Sequence, residues 1–110
     1  MEKNHISSQF DADLEDIRTR LLQMGGLVEE QVRSATRAYA EGKSELYQQI
    51  RSIEDRVNQL EIDLDDRCTH LIVRRQPAAG DQRLVMAVVK TITDLERIGD
   101  EAEKIARFSK

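Results

Sequence analysis

Acidic side chains recur at helical spacing in two separate segments of the sequence. Each segment repeats a step of three or four residues, and residues at that step lie on one side of a helix. The segments hold Glu54, Asn58 and Glu61 in the first case and Glu96, Asp100 and Glu103 in the second. Carboxylate and amide oxygens, without His or Cys, form the donor set that hard cations such as Mg²⁺, Mn²⁺ or ferric iron prefer. The chemistry that these residues could perform is cation binding, provided that the two segments meet.

A structural interpretation of the same acids competes with the metal site. Acidic helix faces are usually solvated, and basic side chains one turn away can neutralise them. Arg97 can pair with Glu101, and Lys104 can pair with Asp100, because each pair is four residues apart. Both interpretations stay open on spacing alone.

Three amphipathic stretches must position these acids. Apolar residues recur every three or four positions in each stretch, and one polar residue interrupts each of the first two stripes, Gln31 and Arg67. The stripes predict helices over about 8–40, 44–75 and 81–107. Because the connections are only a few residues long, neighbouring helices must be antiparallel. The predicted fold class is therefore all-α, an up-down-up three-helix bundle.

The ends of the predicted helices carry their own signals. Gly42 is expected to stop the first helix, and Pro77 is expected to force Gln76 out of helical geometry. The predicted N-terminal caps of the three helices are Ser7 or Ser8, Ser44 and Asp81.

The positions of the turns predict which residues face one another. A second turn centred near Ala78 or Ala79 places the two acidic segments at one level of the bundle. The facing pairs would be Glu61 with Glu96, Asn58 with Gly99 and Asp100, and Glu54 with Glu103. Gly25 and Gly26 reach the same level and, together with Gly99, predict a close backbone approach or a kink. The predicted metal ligands are Glu54, Asn58, Glu61, Glu96 and Asp100.

The composition excludes several classes of protein. With 110 residues, 39% of them hydrophobic and 35% charged, one domain over 1–110 is expected. A net charge of −4 provides no basic field for a nucleic acid. The first ten residues lack the apolar region of a secretory signal, which predicts the cytoplasm. The longest apolar run, 84–89, is far below the roughly 20 residues that span a bilayer, so membrane contact is expected only through partners.

The remaining reactive side chains point to no catalysis. Cys68 has no second cysteine and lies in an apolar neighbourhood, which predicts a buried core position. No nucleophile has a suitably spaced histidine and acid, so no enzyme is predicted, and a metal-dependent hydrolase is the weaker alternative. His70, Arg74 and Arg75 form a basic group near the end of the second helix. They are expected to oppose the helix dipole, with an anion or partner contact as the alternative.

Three segments carry a more specific signal. They read LLQMGGLVEEQV at 21–32, RRQPAAGDQRLVMAVVKT at 74–91 and DLERIGDEAEKIA at 94–106. Together, and in this order, they resemble the PhoU family, regulators of phosphate uptake and phosphate signalling in bacteria. Proteins of that family contain two similar three-helix bundles. The resemblance implies that this chain corresponds to the first of them.

The resemblance also implies metal ligands. PhoU proteins bind multinuclear metal clusters through E(D)-x-x-x-D motifs, which match Glu96 with Asp100 and Glu61 with Asp65. The turn positions agree with the family motif on the third helix. On the second helix they favour Glu54 over Asp65.

The function implied by the resemblance is that of a regulatory adaptor. Such a protein would link the ATPase of the phosphate transporter to a membrane-bound sensor histidine kinase, and would repress the phosphate-starvation response when phosphate is plentiful. The alternative is a metal-free structural bundle that oligomerises. Because only one of two bundles is represented, an exposed apolar face and a homodimer or higher assembly are also expected.

Overall fold

The chain forms three long helices. The computed structural model describes the backbone of residues 2–108 and the side chains of residues 8–108. Helix α1 spans Glu2–Glu41, α2 spans Leu46–Arg75 and α3 spans Ala79–Arg107. Each helix packs against the other two, and the connections 42–45 and 76–78 are short. The predicted all-α, up-down-up three-helix bundle is confirmed.

Helix α1 sets the length of the molecule. The bundle measures 60 Å by 18 Å by 16 Å, and 40 helical residues rise about 60 Å at 1.5 Å each. This helix begins six residues before the predicted start at Ser8. Ser8 is therefore an exposed residue within the helix and not its cap, while the side chain of Ser7 lies outside the described residues. No proline or glycine precedes Ser8 to interrupt the helix.

The end of α1 follows the prediction. Gly42 adopts a left-handed conformation with φ of 65°, which costs a glycine little. The backbone N–H of Lys43 then donates to the carbonyl of Ala38 at 3.1 Å, which is typical of a Schellman termination. This turn reverses the chain toward α2. The predicted cap at Ser44 is wrong, because α2 begins at Leu46 and its N-cap residue, Glu45, makes no capping hydrogen bond.

The second connection is tighter than predicted. Gln76 leaves the helix with φ of 44° and ψ of 61°, and its N–H donates to the carbonyl of Ile72 at 3.1 Å. The expected helix break before Pro77 is confirmed. The cap predicted at Asp81 is wrong, because α3 begins at Ala79 and Asp81 lies in its first turn. The turn is therefore centred on Pro77, and this shifts the level at which α2 and α3 face each other.

The predicted apolar stripes form the core. Fully buried side chains run along the inner face of all three helices, and Cys68 is among them, as predicted. They include Ile17, Met24, Ile50, Val57, Leu64, Val85 and Ile92. Among residues 2–108, no helix combines the length and apolar content needed to cross a membrane.

The two interruptions of the stripes have different outcomes. Arg67 ties α2 to α1 by donating to Asp16 at 2.7 Å and to Asp63 on its own helix at 2.9 Å. Gln31 is fully buried within the bundle, where it contacts the acidic cluster described below.

Candidate cation site

Three carboxylates converge between α2 and α3. One oxygen each from Glu54, Glu96 and Asp100 lies within 4.8 Å of the others. The Glu54 side chain is buried, with 3% of its surface exposed, because residue 54 lies one turn from the buried residues Ile50 and Val57 on α2. Glu96 and Asp100 are half-buried and stand one turn apart on α3. Sequence spacing thus selected these three residues, and the fold brings them together.

The crowding changes the acidity of these groups. Burial is the largest cause that raises the pKa of Glu54 to about 7, followed by a hydrogen bond with Asp100. Burial also comes first in raising the pKa of Glu96 to about 7, again followed by its hydrogen bond with Asp100. The negative charge of Glu61 adds to the effect on Glu96. Three carboxylates at this separation repel one another, so a proton or a cation stabilises them.

Glu61 and Asn58 lie beside this cluster. Both are half-buried on α2. Burial raises the pKa of Glu61, and the charges of Asp65 and Asp100 raise it further. The Glu61 carboxylate thus contributes to the negative potential of the site but is not one of the three converging groups. Whether Asn58 and Glu61 are ligands stays a prediction.

Glu103 is separate from the cluster. It was expected opposite Glu54, but it instead accepts a hydrogen bond from the Tyr47 hydroxyl at 2.8 Å and from Arg107 at 2.6 Å. The Arg107 hydrogen bond is the main reason that the pKa of Glu103 is lowered. The predicted pairing is wrong because α3 starts two residues early, which brings Asp100 to the level of Glu54.

The ion pairs of the acids on α3 differ from those that the spacing predicts. Lys104 contacts Glu101 at 3.3 Å and does not pair with Asp100. Among the ion pairs of residues 8–108, neither the predicted Arg97 pair with Glu101 nor any pair of Asp100 occurs. Glu96 and Asp100 therefore have no ion-pair partner within residues 8–108, and Arg97 acts on Glu96 only through its charge.

Gln31 of α1 completes the surroundings of Glu54. Its amide Nε2 donates to Glu54 Oε2 at 2.5 Å. Its Oε1 is buried and has no hydrogen-bond partner among the described residues. The sequence shows Gln31 as a polar residue inside an apolar stripe, and spacing alone predicts no contact for it with the acids. Its position in the stripe was the available signal.

The glycines behave differently from one another. A Cβ added at Gly99 would lie 2.7 Å from Gln31 Oε1 and 3.3 Å from Glu54 Oε2. Gly99 is thus closely approached, but by side chains and not by the backbone that the prediction named. A Cβ added at Gly25 or Gly26 would meet no atom within 4 Å. The close approach predicted at this pair is wrong, because the neighbouring helices do not press against it.

The three-carboxylate cluster has the composition and size of a hard-cation site. Two oxygens on opposite sides of one ion at about 2.4 Å are about 4.8 Å apart, and three oxygens spread evenly around that ion are about 4.2 Å apart. The three oxygens could therefore bind one ion with at most a small adjustment of side chains. Each ligand would be a carboxylate, which suits Mg²⁺, Mn²⁺ or ferric iron better than a thiolate-seeking metal.

The basic group near the end of α2 lines a cavity of about 390 Å³ that also contains acids. Arg75 donates to Asp13 at 3.0 Å and to Gln9 at 2.7 Å across the α1 interface. Arg74 and Arg75 occupy the last turn of α2, where positive charge favourably opposes the helix dipole. These contacts favour the structural interpretation over an anion site.

Comparison with known proteins identifies the family. The PhoU domain family matches residues 21–109. A phosphate-specific transport system accessory protein PhoU homolog of Pseudomonas aeruginosa is 54% identical over 104 residues, covering 94% of this chain and 43% of that protein. The protein PhoU of Escherichia coli with the same accessory designation is 48% identical over 103 residues, with 94% and 43% covered.

The fold agrees with a solved structure. The crystal structure of PhoU from Pseudomonas aeruginosa superposes with a TM-score of 0.89 at 52% identity, covering 91% of this chain and 48% of that one. The chain thus spans less than half the length of these relatives. Sequence, helix arrangement and the extent of the match lead to one conclusion: the chain belongs to the PhoU family.

Proposed function

We propose that this chain is a regulatory helical module that binds a hard cation through Glu54, Glu96 and Asp100, with Glu61 and Asn58 beside the ion. The observation that supports it best is the convergence of three carboxylate oxygens within 4.8 Å between two helices. The cation would be Mg²⁺, Mn²⁺ or iron, as a single ion or within a multinuclear cluster. It would offset the mutual repulsion of the carboxylates and fasten α2 to α3.

The biological role that we propose is an accessory role in phosphate transport. The relatives named above are accessory proteins of a phosphate-specific transport system. In this role the chain acts without catalysis, as a cytoplasmic adaptor between the ATPase of the phosphate transporter and a sensor histidine kinase. It reaches the membrane only through these partners and does not bind nucleic acid.

The mechanism that we propose is docking of a rigid surface. Long helices packed side by side offer elongated faces, and a cation that joins α2 to α3 fixes the relative position of those two faces. A partner that contacts both helices would then bind better to the cation-loaded form, because less conformational freedom is lost on binding.

A double variant tests the cation site. Glu96→Ala with Asp100→Ala removes two of the three carboxylates, so we expect the loss of Mn²⁺ binding in calorimetry and of the rise in Tm that Mn²⁺ produces. The matched control is Asp94→Ala with Glu101→Ala, which removes the same charge from the same helix. Those acids are exposed, and they pair with the surface residues Lys90 and Lys104 at 3.4 Å and 3.3 Å. Wild-type behaviour of the first variant would refute the cation site.

A second candidate function is a metal-free module that oligomerises. An apolar cavity of about 290 Å³ lies between α1 and α3, and the partly exposed side chains of Val32, Ile98 and Ile105 line it. A homodimer or higher assembly would cover these side chains. This candidate predicts self-association that is independent of Mn²⁺.

A further inference from the structure

Gln31 is a polar side chain in a position that the fold fills with apolar groups elsewhere. It is fully buried, and its neighbours at helical spacing on α1, Val28 and Ala35, belong to the core. A leucine or methionine at residue 31 would fill the same stripe. Packing alone therefore does not require an amide at this place.

The contacts of Gln31 are directed to the carboxylate cluster. Nε2 donates to Glu54 Oε2 at 2.5 Å, and Oε1 has no hydrogen-bond partner among residues 8–108. A buried acceptor without a partner is unfavourable for folding. The Gln31 amide thus combines an unfavourably buried acceptor with a hydrogen bond from its N–H to a candidate ligand.

Gly99 provides the space that the amide occupies. A Cβ at residue 99 would lie 2.7 Å from Gln31 Oε1, a separation at which the amide would have to move. Gly99 is on α3 between Glu96 and Asp100, one residue before the latter. The slot for an α1 side chain is therefore built into the helix that carries two of the three carboxylates.

We propose that Gln31 is a positioning residue for the cation site, which holds the Glu54 carboxylate toward Glu96 and Asp100 from a slot that Gly99 keeps open. This rests on the proposed cation site. Glu54 Oε2 accepts from Gln31, and a carboxylate has further lone pairs on its two oxygens with which to bind an ion. Groups that hydrogen-bond a metal ligand in this way orient it and raise the affinity for the metal. The site accordingly involves all three helices.

Gln31→Met separates positioning from packing. Methionine has a similar length and lacks both the donor and the unpartnered acceptor. We expect calorimetry to show Mn²⁺ affinity reduced by about 10- to 100-fold, with the number of bound ions unchanged. The Tm of the metal-free protein should not fall. An affinity within twofold of wild type, or a fall in the metal-free Tm with unchanged affinity, would overturn the proposal.

Gly99→Ala tests the slot independently. We expect it to weaken Mn²⁺ binding in the wild-type background, because the added methyl group displaces the amide. In a Gln31→Ala background the same change should cause a smaller further loss, since the 2.7 Å contact with Gln31 Oε1 is then removed and only the 3.3 Å contact with Glu54 Oε2 remains. Equal losses in both backgrounds would mean that Gly99 does not act through Gln31.

The outcomes also separate this proposal from the cation site itself. If Glu96→Ala with Asp100→Ala abolishes Mn²⁺ binding while Gln31→Met binds as wild type does, only the positioning role is wrong. If the double variant binds Mn²⁺ as well as wild type, or the wild type does not bind it, the cation site and the positioning role are both wrong.

Discussion

The carboxyl groups of Glu54 and Glu96 hold protons more tightly than isolated glutamates. Their pKa values are raised to about 7, mainly by burial. In the unfolded chain they return to the ordinary value of 4.5, so between about pH 4.5 and pH 7 the folded protein binds more protons. Stability from these groups is therefore present at low pH and lost as the pH rises through about 7.

This difference predicts the pH dependence of the metal-free protein. In EDTA we expect the Tm contribution of the cluster to decrease between about pH 4.5 and pH 7, and Glu54→Gln should flatten the profile. Glu103 has a lowered pKa, so its contribution is lost only as the pH falls below its ordinary range. A decrease that is identical in wild type and Glu54→Gln would contradict the role of the cluster.

A second prediction compares two acids of the helix α2 motif. Glu61 is half-buried and its pKa responds to the charge of Asp100, whereas Asp65 is exposed. We expect Glu61→Gln to weaken Mn²⁺ binding by about fivefold, as a nearby charge in a partly screened position would. Asp65→Asn serves as the matched change and should have a smaller effect. A larger loss for Asp65→Asn would favour the family motif over the converging triad.

The candidate ligands were predictable from residue type and helical spacing, and their environment was not. Spacing alone places Glu96 and Asp100 on one face of α3. It cannot show that Gln31 donates to Glu54, because one polar residue in an apolar stripe has the same appearance whether it contacts a site or solvent.

At the scale of the helices, alanine is expected to be favourable at Gly26, whereas at Gly99 it is expected to weaken Mn²⁺ binding. Gly26 is an exposed residue within α1, and a Cβ there would meet nothing within 4 Å. We expect Gly26→Ala to raise the free energy of unfolding by about 1 kcal/mol and the Tm by about 4 °C. Thermal unfolding followed by circular dichroism measures both. A fall in Tm would mean that Gly26 has a contact or conformational role absent from this structure.

The end of α2 offers a separate test. Gln76 is the one non-glycine residue with positive φ in the described part of the chain. Because a left-handed conformation is strained for such a residue, Gln76→Gly should stabilise the protein by about 1 kcal/mol. Gln82→Gly, an exposed change within helical α3, is the control and should destabilise it. Equal effects of the two changes on the Tm would contradict this interpretation of the turn.

The apolar pattern predicts which segments are helical more accurately than it predicts where each helix begins and ends. Gly42 and Pro77 marked two boundaries because each constrains the backbone directly. The starts of α2 and α3 differ from the predicted positions, because the N-cap residues Glu45 and Ala78 make no side-chain hydrogen bond. The predicted caps, Ser44 and Asp81, therefore do not begin these helices. Because α3 begins two residues before the predicted position, Glu103 does not face Glu54.

At the scale of the whole molecule, the apolar surface between α1 and α3 predicts association. We expect light scattering at high micromolar concentration to show a mass above that of one chain. Ile105→Glu should reduce it, because Ile105 lines the apolar cavity. Ile62→Glu is the matched control, since Ile62 is an exposed apolar residue of α2 outside that cavity. A strictly monomeric wild-type protein would count against the assembly.

The three-helix bundle was predictable because periodic apolar residues and two short turns permit few arrangements. Which residues of α2 and α3 face each other depends on the position of the turn that joins these helices. A shift of only two residues in that turn changes the facing pairs, and the periodicity of the apolar residues cannot detect it.

Crystals soaked in Mn²⁺ and measured near the manganese absorption edge test the cation site most directly. At neutral or slightly alkaline pH we expect an anomalous difference peak about 2.0–2.6 Å from oxygens of Glu54, Glu96 and Asp100. The peak should vanish in the Glu96→Ala, Asp100→Ala double variant. Manganese found only at other acidic residues, or no peak between α2 and α3, would contradict the site.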